Sequence, residues 1–325
     1  MNMSKFKTCL TVLLLVILGC ASAASGAWLG WFFGTPLDGD DSLNARTALD
    51  ERDTAPHSKY NVLLMGTDTS GYLTDVMMIY QMDPQNEKVN VLSIPRDTRI
   101  YFNNHVEKIN AAHSYGKQQK DSQGSDRGDE YAIRAVRELT GIPIHHYVCI
   151  NTAAFRQIID AIGGFDFDVP QRMKYTDEWQ DLYIDLQPGY QHLDGDKAEQ
   201  LVRYRHYRNG DIDRVKVQQD VLKALVDQKV NITYVHKVPE IFGIILDNID
   251  TDMTPQEALG MALNVLDARG NEDGITTYTV DGSFWDDANG INYWAPNLPA
   301  LKNMVADTFG YVDGLPINTD ALDEE

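Results

Sequence analysis

The chain has 325 residues, enough for one large domain or two ordinary ones at about 100–200 residues each. It is 43% hydrophobic and 23% charged, so it can bury a core, and collagen-like, disordered and disulfide-scaffold classes are excluded. Its 28 basic and 48 acidic residues give a net charge of −20, which argues against a nucleic-acid partner, because such proteins set basic patches against phosphates.

Lys5 and Lys7 precede an apolar stretch, Cys9 to Phe33. Its 25 residues would span roughly 37 Å at about 1.5 Å per residue, enough to cross a bilayer core of about 30 Å with some tilt. The lysines predict a cytoplasmic N terminus, and Trp28, Trp31, Phe32 and Phe33 an outer aromatic belt. One alternative is a cleaved signal peptide ending at Ala21-Ser22-Ala23; a lipoprotein reading through Cys20 is weaker because Leu18 suits it poorly. The apolar run continues past Ala23, which favours a single-pass transmembrane anchor over residues 1–33, with the rest extracellular at the cell membrane. Setting Lys5 and Lys7 aside leaves 26 of the 28 basic residues against 48 acidic ones outside, a net of −22. Cys9 and Cys20 fall in the anchor. Cys149, flanked by Tyr147, Val148 and Ile150, reads as a buried strand residue without chemistry.

Residues 34–58 are polar, without apolar periodicity, and read as a stalk. Strands are expected at Tyr60–Met65, Val76–Gln81 and Lys88–Ile94, the last two forming a hairpin around Asp83-Pro84-Gln85-Asn86. A polar loop covers 117–129. A helix follows at Glu130–Leu139, stopped by Gly141; then come a strand at His145–Ile150 and a helix at Thr152–Ile162, capped by Asn151 and stopped by Gly163-Gly164. Short strands are expected at Phe165–Val169 and Leu182–Leu186, with helices from Asp194 to about Val202 and from about Asp213 to Val230. Thr254-Pro255-Gln256-Glu257 carries a cap, a first-turn proline and a capping-box glutamate, predicting a helix to about Ala268. Thr276–Val280 is a last strand and Pro299–Thr308 a last helix, before an acidic tail at 316–325. The alternation predicts an α/β domain of α-β-α layers over 59–315.

Three segments could carry chemistry. Gly66-Thr67-Asp68 ends the first strand and Asp75 opens the next. Ligands sit at such strand ends, and two carboxylates there suit a hard cation such as Mg²⁺; the alternative is a pair of turn aspartates. Ser93-Ile94-Pro95-Arg96-Asp97-Thr98-Arg99 places an arginine fork, the shape that matches phosphate oxygens, at the third strand's end. Asp97 would orient Arg96 or bind metal, or the two would simply form a pair closing the strand. The third is the strongest. Arg203, Arg205, Arg208, Arg214 and Lys216 fall within fourteen residues of an acidic chain, and an anion among them relieves their repulsion. Arg214 and Gln218 share a helix face, and Asp211 lies near that helix's start. The alternative is a solvated basic face neutralised by Asp211, Asp213 and Asp220. Together these features suggest a metal-plus-arginine site for a pyrophosphate, the apparatus of phosphoryl transfer. His145-His146 is a poor metal pair, because neighbours on a strand face opposite ways.

The segments, in order, resemble the LytR-CpsA-Psr (LCP) family: Val62-Leu63-Leu64-Met65-Gly66-Thr67-Asp68, Thr74-Asp75-Val76-Met77-Met78, Leu92-Ser93-Ile94-Pro95-Arg96-Asp97-Thr98, Lys108-Ile109-Asn110-Ala111, Ala161-Ile162-Gly163-Gly164, Leu193-Asp194-Gly195-Asp196-Lys197-Ala198, and Val202-Arg203-Tyr204-Arg205 with Gly210-Asp211, Arg214 and Gln218-Gln219. The resemblance implies a central mixed β-sheet flanked by helices, with a polyprenyl tail in an apolar pocket. It implies a membrane-anchored phosphotransferase that moves a glycopolymer, such as teichoic acid or capsular polysaccharide, from a polyprenyl-pyrophosphate carrier to a peptidoglycan acceptor. Carried over residue by residue, Asp68 and Asp75 would hold Mg²⁺. Arg96, Arg203, Arg205, Arg214 and Gln218 would contact the phosphates, and Asp97 would support the site. The sequence does not name the general base, for which Asp97 and Asp211 are the candidates. Lys108 matches a family lysine.

Three positions depart from the family pattern. Leu73 and Val217 stand where the family often has arginine, and Asn110-Ala111-Ala112 replaces Asn-His-Ala, with His113 one position late. The lost arginines leave room for weaker activity, another polymer, or none. A pyrophosphatase at the same site and a non-catalytic binder of lipid-linked polymer are the competing readings. An exported domain of net −22 makes a DNA-binding role improbable.

Overall fold

The computed structural model describes residues 59–311, apart from 69, 122–123, 179–181, 209–210, 230–248 and ten positions between 255 and 272. The expected anchor (1–33), stalk (34–58) and tail (316–325) lie outside the described residues. Among those described, no helix is long and apolar enough to cross a membrane.

Three consecutive strands form the centre: β1 (Tyr60–Thr67), β2 (Thr74–Asp83) and β3 (Lys88–Ser93). The β2–β3 turn is fixed by Asp83, whose carboxylate accepts from Asn86 N (3.2 Å) and Asn86 Nδ2 (2.9 Å). A short hairpin follows, β4 (Arg99–Phe102) with β5 (His105–Lys108), then helices α1 (Ala111–Lys117) and α2 (Gly128–Thr140). Strand β6 (His146–Asn151) leads into α3 (Thr152–Ala161), with the Asn151 side chain accepting from Ala154 N at 2.8 Å as a cap. Two small antiparallel pairs come next, from β7 (Phe165–Val169), β8 (Met173–Asp177), β9 (Leu182–Leu186) and β10 (Gly189–Leu193). Asp194 caps α4 (Gly195–Arg203) through Lys197 N (2.9 Å), and α5 (Asp211–Lys229) follows. The chain closes with β11 (Ile249–Thr251), β12 (Ile275–Thr279), the β13 (Gly282–Asp286) and β14 (Asn292–Pro296) hairpin, and α6 (Leu298–Met304), which runs into a wider π-turn to Phe309.

The main sheet has the order β11-β6-β1-β2-β3-β12 and is mixed. β1 pairs parallel to β6 and antiparallel to β2, and β3 pairs antiparallel to β2 and parallel to β12. β1, β3, β6 and β12 therefore end at the same edge, where β2 begins. Alternation along the strands feeds two cores. Val62, Met78, Tyr80, Met82, Val89, Val91 and Val148 pack toward α3, α4 and α5. Leu63, Met65, Met77, Ile79, Leu92, Tyr147 and Cys149 pack toward α1, α2 and α6. Each fully buried Leu, Ile or Met among them contributes about 1.5–3 kcal/mol, and burial on both faces explains why β1 reads as a continuous apolar run. This is the expected α/β fold, a central mixed sheet between helical layers.

The expected hairpin, helix stops and caps are all present. Gly141, Gly163 and Gly164 adopt φ of 78°, 74° and 64°, the left-handed conformation that ends a helix. Thr254 and Glu257 form the predicted capping box: Glu257 N donates to Thr254 Oγ1 (3.3 Å), and Glu257 Oε2 accepts from Thr254 N (2.9 Å). The structure adds the β4–β5 and β13–β14 hairpins, α1, β8, β10 and β11, none of which carries a long apolar signature.

Candidate active site

The shared strand edge collects the candidate residues. Where β1 meets β2 the ladder shifts register between Gly66 and Thr67: Gly66 faces Val76 and Thr67 faces Thr74, which leaves Asp75 as the extra, unpaired residue of a bulge in β2. Thr67 faces Thr74, so Asp68 and Asp75 follow from opposite sides of the last pair. Arg96 and Asp97 leave β3 at the same edge, Arg205 lies just after α4, and Arg214 sits in the first turns of α5.

Asp75 is the hub. Its carboxylate accepts from Arg96 Nη1 at 2.8 Å and from Arg205 Nη2 at 3.0 and 3.1 Å. Arg214 Nη1 lies 3.9 Å from the same carboxylate, and Arg214 Nη2 donates to the Asp75 carbonyl at 3.2 Å. Burial works to raise the Asp75 pKa, but Arg205, Arg214 and Arg96 overcome it and hold the carboxyl below its ordinary value. Arg214 is 1% exposed, so a full positive charge is carried into the interior. Three guanidinium groups around one carboxylate leave an excess of positive charge. That is a standing site for an anion in an otherwise acidic protein.

A second network flanks the hub. Asp97 accepts from Lys108 Nζ at 2.9 Å and lies 3.6 Å from Arg96 Nε. Its carbonyl also accepts from Trp294 N (2.8 Å), tying the segment to β14. Lys108, to which the sequence assigned no role, is thus the partner of Asp97. On the other side, buried Arg203 pairs with Glu199 one helical turn earlier (2.7 Å), and Glu199 also meets Arg156 Nε at 3.2 Å.

Behind the hub lies a cavity of about 150 Å³ between the sheet and helices α3 and α5. Its walls are apolar: Leu64, Val76 and Met78 from β1 and β2, Ile150 and Phe155 around α3, and Val221, Leu222 and Leu225 from α5. Its polar lining is Thr67, Asp75, Asn151, Thr152, Arg203 and Gln218. Gln218 is oriented by donating to the Val202 carbonyl (3.2 Å).

The structure therefore brings together Asp75, Arg96, Asp97, Arg205 and Arg214, and sets Arg203 and Gln218 on the cavity wall. Of the five clustered cations, Arg203, Arg205 and Arg214 turn inward, whereas Arg208 and Lys216 are exposed. Asp68 stays with its own turn: its carboxylate accepts from Ser70 Oγ (2.7 and 2.8 Å) and Tyr72 N (3.1 Å). Asp211 opens α5, and its side chain lies outside the described residues. Leu73 is exposed and Val217 is packed in the core. Sequence reasoning did not find Glu199 and Arg156; the spacing of Glu199 and Arg203, i and i+4 on a helix, was the available signal. It named Gln219 without a role; Gln219 fastens α5 to the sheet edge through Ser93 Oγ (2.7 Å), Tyr278 O (3.2 Å) and Thr279 Oγ1 (3.3 Å).

Fold and site together define a layered α/β protein that presents clustered arginines beside an apolar cavity. The LytR_cpsA_psr family model matches residues 37–309, and the chain belongs to that family. It is 28% identical over 271 residues to the polyisoprenyl-teichoic acid–peptidoglycan teichoic acid transferase TagV of Bacillus subtilis, covering 79% of this chain and 66% of that protein. It is equally 28% identical over 257 residues to the corresponding TagU transferase of Oceanobacillus iheyensis, covering 78% of this chain and 76% of the relative. The crystal structure of B. subtilis TagV superposes with a TM-score of 0.62 at 26% identity, covering 80% of this chain and all of that one.

Proposed function

We propose that this protein transfers a glycopolymer from a polyprenyl-pyrophosphate carrier to a peptidoglycan acceptor at the outer face of the cell membrane. The observation that carries the reading is the apolar cavity walled by β1, β2, α3 and α5, with the arginine hub around Asp75 on its lining. A lipid-linked pyrophosphate needs both halves of such a site, and family membership and the activity for which the TagV and TagU relatives are named support it.

In this reading the polyprenyl chain enters the cavity along Leu64, Val76, Ile150 and Leu222. The pyrophosphate lies against Arg96, Arg205 and Arg214, with Arg203 and Gln218 beside it. An acceptor sugar hydroxyl attacks the phosphorus that carries the polymer. The new oxygen–phosphorus bond forms as the bridging phosphorus–oxygen bond breaks, and polyprenyl phosphate leaves. The arginines gain most where charge spreads over the transferring phosphoryl oxygens, which is where positioning and neutralisation lower the barrier. The hydroxyl proton passes to a carboxylate, for which Asp97 and Asp211 are the candidates.

Asp68 follows the end of β1 and Asp75 lies at the start of β2, and both are hard oxygen donors, so they suit Mg²⁺, which typically takes one or two carboxylates and completes its shell with water and phosphate. Bound there, Mg²⁺ would neutralise pyrophosphate charge. Asp75 must then loosen at least part of its arginine clamp as those arginines turn to the substrate. The test is transfer of lipid-linked polymer by the full chain with Mg²⁺ present. Arg214→Ala and Asp75→Ala are each expected to lower it at least 100-fold, and full activity in either variant would refute the assignment.

A further inference from the structure

On the opposite face of the sheet, a second cluster of reactive side chains is built from four elements. His113 comes from α1, Asp129 from the first turn of α2, Cys149 from β6 and Asp250 from the edge strand β11. Ligand atoms of His113, Asp129 and Cys149 all lie within 4.8 Å of one another. Cys149 and Asp250 are direct cross-strand partners, so their side chains share a face.

The approach of α1 to α2 depends on two glycines. A Cβ at Gly116 would come within 2.3 Å of the Arg127 carbonyl oxygen, and one at Gly128 within 2.8 Å of His113 Nε2. Only with both side chains absent can His113 pass over the helix start and bring Nε2 to 3.4 Å from Asp129 Oδ1.

The tautomer follows from the other ring nitrogen. His113 Nδ1 lies 2.9 Å from the Tyr72 carbonyl oxygen, which can only accept. Nδ1 therefore carries a proton, and in the neutral ring the Nε2 lone pair, beside Asp129, is the one that can bind a cation. A carbonyl that fixes a histidine in this way is the usual outer support of a metal-binding imidazole. His113 itself is 1% exposed.

We propose that His113 Nε2, the Asp129 carboxylate and the Cys149 sulfur, with Asp250 at the outer rim, hold a divalent transition cation of the zinc class. Nitrogen, sulfur and oxygen donors in one set suit borderline-soft Zn²⁺ and disfavour Mg²⁺ or Ca²⁺. Bonds of about 2.0–2.3 Å set tetrahedral ligands about 3.4 Å apart, so the cluster needs closure of roughly one ångström. Charge supports the same reading. Thiolate and two carboxylates would total three negative charges facing, as basic groups, only the His113 ring itself and Lys117, which is already paired with Asp126 (3.3 Å). Tyr147 Oη donates to Asp250 Oδ1 at 3.3 Å, an outer hydrogen bond of the kind that orients a ligating carboxylate. Bound here, the ion would staple the α1–α2 layer to β6 and β11. It would thereby steady the segment that begins at Lys108, the partner of Asp97, without taking part in transfer.

The test uses the full chain in detergent, stripped with a chelator and titrated with Co²⁺ as a spectroscopic probe. The expected result is saturation at one equivalent, with a near-ultraviolet thiolate-to-cobalt charge-transfer band, intense visible bands of a four-coordinate ion, and displacement by Zn²⁺. Cys149→Ser should abolish the charge-transfer band and weaken binding about 10- to 100-fold, whereas Leu73→Ala should leave both unchanged. If Cys149→Ser does not fold, X-ray absorption on the wild-type Zn²⁺ form decides, with one sulfur expected at about 2.3 Å. Absence of the band at saturating Co²⁺, its survival in Cys149→Ser, or a zinc shell without sulfur would overturn the proposal.

Discussion

Replacing Asp75 by asparagine separates stability from anion affinity. In the wild-type protein three guanidinium groups share this carboxylate, and one of them, Arg214, is almost wholly buried. Removing one partner of a buried ion pair costs about 3–5 kcal/mol, because the remaining charge stays in the interior uncompensated. Arg205 retains 31% side-chain exposure and is partly screened, so the lower end of that range applies, about 3 kcal/mol. For a domain of this size each kcal/mol moves Tm by about 2–4 °C, giving a drop of roughly 6–12 °C. The same substitution removes the carboxylate that competes with a ligand for the arginines. Inorganic pyrophosphate, without metal, should therefore raise Tm more in Asp75→Asn than in wild type. Scanning calorimetry in phosphate-free buffer, with and without pyrophosphate, measures both effects. An unchanged Tm, or equal pyrophosphate shifts in the two proteins, would refute the view of Asp75 as counter-charge to an anion site.

The cavity is tested by Leu222→Trp, which fills the space between α5 and the sheet: polyprenyl-pyrophosphate binding should fall at least 10-fold while inorganic pyrophosphate binding is unchanged, and equal losses of both would show that the cavity is not the lipid's place. Glu199→Gln strands buried Arg203 and should cost about 3–5 kcal/mol, read as a lowered urea midpoint. At the far end of the sheet, burial works to raise the Asp83 carboxyl, but Asn86 and Lys59 hold it below its ordinary value. A depressed folded pKa gives stability that is present above the unfolded value of about 3.9 and is lost as pH falls through the folded one. The stability gap between wild type and Asp83→Asn should thus be constant from pH 5 to 7 and shrink below pH 4; a gap that widens there would contradict the sign.

What was legible in the sequence follows from how far each signal is local. Strands β1, β2 and β3 were visible because they are buried on both faces and end in turn residues. The helix ends at Asn151, Asp194 and Gly141 were visible because a cap is a short-range hydrogen bond or a left-handed glycine. Hairpins β4–β5 and β13–β14 were not, since Arg99 and Lys108 are stabilised by stacking on Trp285 and Tyr293 from far along the chain. At the site, residue types announced an anion. Their mutual arrangement did not appear until the fold set Asp75 of β2 beside Arg205 and Arg214, more than a hundred residues away. Asp68 and Asp75 looked equivalent by spacing. The structure distinguishes them, one occupied by its own turn and the other by three arginines. Cys149 read as an ordinary strand residue because its neighbours in sequence are apolar, whereas the groups around its sulfur come from α1, α2 and β11.

The most direct test of the central proposal is product analysis. Purified full chain is incubated with polyprenyl-pyrophosphate-linked polymer, Mg²⁺ and peptidoglycan fragments, and the products are resolved by mass spectrometry. The account predicts polymer joined to peptidoglycan through a phosphodiester, with polyprenyl phosphate released in equal amount. Free phosphorylated polymer as the only product would make the protein a pyrophosphatase, and tight binding with no product would make it a carrier; either result would contradict the account.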